Sequence, residues 1–282
     1  MRKLAIGFLF TAAAFAADPE LLKLAMPDAR ILAGIDMAKV KDTPFGKFAL
    51  AQFSTAQDPQ YDAFVKASGF DPLESIDEIL LAKPDPGERR LVLARGRFDT
   101  ARILDAATAA GAGVAAYQGV QVIISPDAWL AFLSGSIVAM GDPASVRAMV
   151  ERRDKGVGPA AEIASRVGVV SKAYALWFVS AVPIGELMQD LPSGGAGDAL
   201  KGGALRSVQE ASGGVNFGDS VRLSAELTAA GADDASKLAA LLKFVAGAVV
   251  KSPADVAAEG NAVRLGVSLS EQQLEALWKQ GK

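Results

Sequence analysis

The sequence predicts an α+β protein built mainly from antiparallel sheets with helices packed on one face, arranged as two similar halves in tandem. Three observations carry that expectation. Helix starts are marked by recurrent Asp-Pro pairs, strand-like runs flank two-residue turns, and the order of elements in the first half is replayed in the second.

The Asp-Pro pairs are Asp18-Pro19, Asp58-Pro59, Asp71-Pro72 and Asp142-Pro143, each ahead of a helix-like run. An aspartate carboxylate accepts the orphan N–H groups of a first helical turn, and proline there forfeits only a donor that had no partner. Thr43-Pro44 repeats the device before Phe45, Phe48, Leu50 and Phe53, whose spacing makes one apolar face.

In chain order, the first half reads as a strand near Arg30 to Ile35, helices, and a hairpin from Ile76 to Phe98 turning at Pro84-Asp85-Pro86-Gly87. A helix from Asp99 to Ala110 follows, then hairpins turning at Gln118-Gly119 and Ser134-Gly135, then a helix from Asp142. The second half reads as a strand from Ala173, a short helix from Pro183 to Asp190 and a hairpin from Val208 to Leu227 turning at Gly218-Asp219. It continues with a helix from Asp233 to Val250, a hairpin around Gly260-Asn261, and a last helix opened by the Ser270/Gln273 capping box. Val221, Leu223, Ala225 and Leu227 alternate with polar residues, as do Val263, Leu265, Val267 and Leu269, the pattern of strands wet on one face. Tyr174 to Val179 is apolar on both faces, which implies a strand covered from both sides.

Residues 1–16 read as a secretory signal peptide. Arg2 and Lys3 form a positive start, Leu4 to Phe15 an apolar stretch, and Ala14-Phe15-Ala16 the small-x-small pattern cut by signal peptidase before Ala17. The apolar run ends at Asp18-Pro19, short of the ~18–20 residues that span a bilayer. Ala173 to Ile184 is also too short, and Lys243 interrupts Leu238 to Val250, so no transmembrane segment is expected in the mature chain. Residues 17–155 form the first α+β half and 156–282 the second, with the boundary at Lys155-Gly156-Val157-Gly158-Pro159. The expected location is periplasmic or extracellular.

Without Arg2 and Lys3 the basic count falls from 29 to 27 against 32 acids, a formal charge of −5. That disfavours nucleic acid, which is bound chiefly by Lys and Arg neutralising phosphates. The chain contains no cysteine and no histidine. Nucleophile–histidine arrangements, imidazole metal sites and thiolate sites are therefore excluded. No metal site and no cofactor are expected. The missing cysteine also excludes a lipid-modified amino terminus.

Paired carboxylates remain open as chemistry, since glycoside hydrolysis needs two acids at a suitable separation. The candidates Asp36, Asp71, Asp99 and Asp142 sit where helix caps belong. Trp129, Trp177 and Trp278 lie in strand or helix patterns and read as core. The glycine-rich stretch Gly194 to Gly203 lacks the P-loop pattern around Lys201 and reads as a mobile connector. Arg95 and Arg97, at a strand end, share one face and suit either an anion or the protection of a sheet edge.

Pro27-Asp28-Ala29-Arg30 leading to Gly34-Ile35-Asp36, with Thr43-Pro44-Phe45-Gly46, Gly69-Phe70-Asp71-Pro72 and Gly96-Arg97-Phe98-Asp99, resembles a class of exported, uncharacterised bacterial proteins with duplicated strand and helix units. The resemblance covers mainly Pro27 to Ala110, with an echo at Val221 to Phe244, and implies export and a duplicated α+β fold without supplying site residues. The expected function is that of an exported, soluble, non-catalytic binding or scaffold protein of the cell envelope, with an unidentified protein or small ligand as partner. The alternatives are a carboxylate-dependent hydrolase and a subunit of an envelope assembly. No catalytic residue is assigned, and the ligand-binding residues are left open.

Overall fold

The computed structural model of the chain describes residues 17–48, 59–87, 89–187, 203–218, 220–247, 254–270 and 272–273. Among these, the strands are β1 (Ile31–Asp36), β2 (Ile76–Lys83), β3 (Leu91–Gly96), β4 (Gly113–Tyr117), β5 (Val120–Ile124) and β6 (Trp129–Phe132). They continue with β7 (Ile137–Gly141), β8 (Leu176–Ser180), β9 (Val208–Asn216), β10 (Val221–Ala229), β11 (Ala254–Glu259) and β12 (Ala262–Leu269). All twelve join one antiparallel sheet in the order β11-β12-β10-β9-β8-β1-β2-β3-β7-β6-β5-β4.

The two halves meet at the antiparallel β1–β8 pair, where Leu32 lies opposite Val179 and Gly34 opposite Trp177. Outward from that pair the strand order is β1-β2-β3-β7-β6 on one side and β8-β9-β10-β12-β11 on the other. In both, a helix precedes the central strand and a second helix separates the two hairpins. The first half adds the β4–β5 hairpin at its edge. Gln118 and Gly119 both take positive φ, 45° and 79°, as a tight turn between Tyr117 and Val120 requires.

The α+β class and the antiparallel sheet agree with the expectation, but the helices occupy both faces. On one face the helices Pro19–Leu24, Pro143–Arg152 and Ala161–Ala173 bring Leu21, Met149 and Val167 onto Leu32, Leu80, Leu93 and Trp177. On the other, Phe64 and Ile103 of the helices Pro59–Ser68 and Thr100–Ala109 meet Ala94, Phe132 and Val138. On that second face, too, Leu238 and Leu242 of the helix Ala232–Val245 meet Leu227 and Val263. The reason is visible in the strands. Leu91 to Ala94 and Trp177 to Val179 are apolar at consecutive positions, so each strand exposes an apolar side chain both ways and needs cover on both. Burying one such side chain contributes about 1.5–3 kcal/mol.

Caps form where the sequence places them. The carboxylates of Asp18, Asp36, Asp71, Asp99 and Asp142 accept first-turn N–H groups from Glu20, Lys39, Leu73, Arg102 and Ser145. Thr43 Oγ1 accepts from Gly46 N–H at 3.0 Å. Asp58, Leu50 and Phe53 lie outside the described residues. The helices Ala161–Ala173 and Ala232–Val245 start without a side-chain cap, at Ala160 and Gly231, so they lack the signal that announces the Asp-capped ones. Arg152 donates to the carbonyls of Leu24 at 2.7 Å and Ala25 at 3.0 Å, closing the end of the amino-terminal helix. Among the described residues no helix is long and apolar enough to cross a membrane.

Two outcomes follow from this packing. A Cβ at Gly34 would overlap the ring of Trp177, which is 2% exposed and hemmed in, so Gly34→Ala should destabilise the fold by about 1–3 kcal/mol in chemical denaturation. An unchanged midpoint would show that the ring has room to move. Burial raises the pKa of Asp142, but hydrogen bonds from Ser145, Arg90 and Ala144 outweigh it and hold the carboxyl below its ordinary value. Its contribution is present above the unfolded pKa and lost as pH falls through the folded one. Asp142→Ala should therefore cost about 1 kcal/mol at neutral pH. The difference from wild type should shrink as pH falls below the ordinary carboxylate range, which paired denaturation curves at neutral and acid pH would check.

Candidate ligand-binding site

On the second face of the first half, the helices Pro59–Ser68 and Thr100–Ala109 do not settle fully onto the sheet. They leave a cavity of about 350 Å³. Its floor is Ile79 of β2, Val92 and Ala94 of β3, Val138 and Met140 of β7, and Leu130 and Phe132 of β6. Phe64, Phe70, Phe98 and Ile103 close it from above. Every described lining residue is apolar, and the small side chain of Ala94 leaves depth at the centre. Met140 is 47% exposed, which marks the side where the cavity meets solvent.

Local structure builds one wall. Gly69 takes φ 66° after the helix Pro59–Ser68, a left-handed turn that favours glycine, and so delivers Phe70 inward. Ser68 Oγ donates to Phe64 O at 2.7 Å and accepts from Phe70 N–H at 3.1 Å, fixing that turn. Phe70 and Phe98 then pack ring to ring, 5.5 Å between centroids.

The same two rings border a polar cavity of about 490 Å³, lined also by Ser68, Ser75, Arg97, Asp99, Arg102 and Ser136. Arg97 donates to Glu74 O at 2.9 Å, and Asp99 caps the helix that carries Arg102. Two guanidinium groups thus stand at one end of an apolar chamber. The arrangement suits a molecule with an apolar tail and an anionic head, the head meeting Arg97 and Arg102.

A third concavity, about 510 Å³, lies on the open first face of the second half, between the helix Ala161–Ala173 and β9, β10, β11 and β12. Ser212, Ser224 and Gly266 give it a shallow polar floor. Of its charges, Arg264 is bound to Glu226 at 3.0 Å and, at the rim, to Glu259 at 3.2 Å.

The residues singled out in the sequence separate. Asp36, Asp71, Asp99 and Asp142 each cap a different helix, and of the four Asp99 lines a described cavity. Arg95 and Arg97 do not act together. Arg95 bonds Asp18 and, at 2.8 Å, Glu20, whereas Arg97 lines the polar cavity. The edge-protection reading fails, because β3 is interior, paired with β2 and β7. Trp177 is core; Trp129 is half-buried, edge-on to Tyr117 at 5.7 Å and with Arg147 over its ring at 4.9 Å. Trp278, Lys201 and the stretch from Gly194 to Gly202 lie outside the described residues. The cavity residues Phe64, Ile103, Val138 and Met140 were not anticipated from sequence. The one available signal was the run of apolar residues on consecutive positions of β3 and β7.

No family model matches the chain, and no curated protein matches it by sequence. Solved structures do. Crystal form I of TP0453 superposes with a TM-score of 0.57 at 10% identity, covering 92% of this chain and 96% of that one. Crystal form III gives 0.59 at 9% identity over 92% and 97%, and form IV 0.56 at 9% over 94% and 97%. At such identity the likeness is one of fold, extending over nearly the whole of both chains.

Proposed function

We propose that this chain is an exported, non-catalytic binding protein of the cell envelope that holds an amphiphile, its apolar tail in the first-half cavity and its anionic head at Arg97 and Arg102. The observation that supports this is the juxtaposition of a chamber whose described lining is apolar with a polar cavity carrying two arginines, the two sharing Phe70 and Phe98 as a common wall. A volume of about 350 Å³ lies within the range of natural ligand pockets. Export belongs to the same reading. Residues 1–16 are removed as a signal peptide, and residues 17–155 and 156–282 act as two halves of one scaffold, the first carrying the ligand.

The test is titration of the purified mature protein with a fluorescent long-chain fatty acid. Saturable binding is expected. Ala94→Phe, which fills the cavity floor, should abolish it while leaving the protein folded. Arg97→Ala with Arg102→Ala should weaken it about tenfold, the equivalent of ~1.4 kcal/mol. Absence of saturable binding, or binding indifferent to Ala94→Phe, would sink the reading.

A further inference from the structure

The amino terminus of the described chain is built into the main core. Ala17 is 8% exposed and belongs to the same apolar cluster as Leu21 and Leu24. Its N–H donates at 2.8 Å to Oγ of Ser171, a side chain 3% exposed on the helix Ala161–Ala173, 154 residues away in sequence. The next N–H, that of Asp18, donates to both carboxylate oxygens of Glu78, at 3.1 and 3.3 Å. Two polar side chains from distant elements therefore converge on the first two backbone nitrogens.

The charges around them are unbalanced. Glu78 on β2 sits in register between Asp36 on β1 and Arg95 on β3. Arg95 is engaged by Asp18 and Glu20, and Lys39 by Asp36 at 3.1 Å. Among the described residues, the carboxylates of Asp18, Glu20, Asp36 and Glu78 thus stand with the cations Arg95 and Lys39, which bind Asp18, Glu20 and Asp36.

We propose that Ala17 is a prepared amino terminus: cleavage between Ala16 and Ala17 creates an α-ammonium group that docks between Ser171 Oγ and the Glu78 carboxylate, so that export processing completes the fold. The proposal rests on the signal-peptide reading given above. Hydrolysis adds one water across the Ala16–Ala17 amide. The hydroxyl goes to the Ala16 carbonyl carbon and the hydrogen to the Ala17 nitrogen, which takes a further proton from solvent. A chain that continues before Ala17 presents an uncharged amide here, whereas the cleaved chain supplies a further cation beside Glu78. In the uncleaved chain, burial and the nearby Asp18 and Asp36 charges raise the Glu78 pKa to about 7, against the opposing pull of the Asp18 N–H and Arg95.

The experiment compares the full chain purified uncleaved from the cytoplasm with the chain recovered after export, its amino terminus read by intact mass. At pH 7.5 the exported form should melt about 5 °C higher, and Glu78→Gln should erase that gap. The uncleaved form should lose stability as pH rises from about 5 to 7, because the folded pKa of Glu78 lies above the unfolded one; the exported form should not. A Ser171→Ala variant and the rate of α-amine acylation report the same site without depending on Glu78. The exported wild type should react at least about tenfold more slowly than its unfolded form, as burial of the amine requires, and Ser171→Ala should recover part of that rate. A mature chain that starts at another residue would overturn this proposal alone, whereas Met1 retained in the exported protein would overturn the signal-peptide reading as well. A start at Ala17 with equal melting temperatures and a freely reactive amine would overturn the proposal alone.

Discussion

The fold hangs on the antiparallel contact between β1 and β8. These strands begin the two halves, and their pairing turns two short sheets into one. The contact is tight because Gly34 has no side chain where the indole of Trp177 lies, which lets a bulky ring stay in the sheet interior at 2% exposure. Trp177 then forms part of the floor onto which the helices Pro19–Leu24 and Ala161–Ala173 pack. The amino-terminal helix, the central strands and the helix leading into the second half are thereby cross-braced at one place.

That joint also explains why the two halves use their faces differently. The central strands are apolar on consecutive positions and must be covered twice, while β10 and β12 alternate and leave one face polar. In the first half, covering the second face falls to two ten-residue helices that bridge four strands. Phe64 and Ile103 meet the sheet from these helices, and the cavity lies between them and the strands. On the open face of the second half, serine, glycine and paired charges tolerate water, so the concavity there needs no ligand to be stable.

Charge is used economically. The acids that invite a catalytic reading are occupied as helix caps, each bonded within three residues of its own position. Arg95 and Arg152 serve the amino-terminal helix from opposite ends, one through the Asp18 and Glu20 side chains and the other through the Leu24 and Ala25 carbonyls. Glu78 stands apart. Its bonding partner is the backbone N–H of Asp18, next to the proposed cleavage site.

The sequence by itself determined the local elements. The Asp-Pro starts at Asp18, Asp71 and Asp142, the Thr43-Pro44 start, the Gln118-Gly119 and Gly260-Asn261 turns, and the Ser270/Gln273 capping box lie close to their expected places, because each is a contact between residues two to four apart. The two-sided apolar run before Val179 likewise announced a covered strand. Tertiary structure decided the rest: the single sheet, the division of helices between its faces, the interior position of β3, the chamber between Phe64, Ile103 and Met140, and the meeting of Ala17 with Ser171. Those depend on pairs tens to more than a hundred residues apart, brought together by the packing of apolar faces. A hydrophobic face records that it must be covered, but not by which element or how completely.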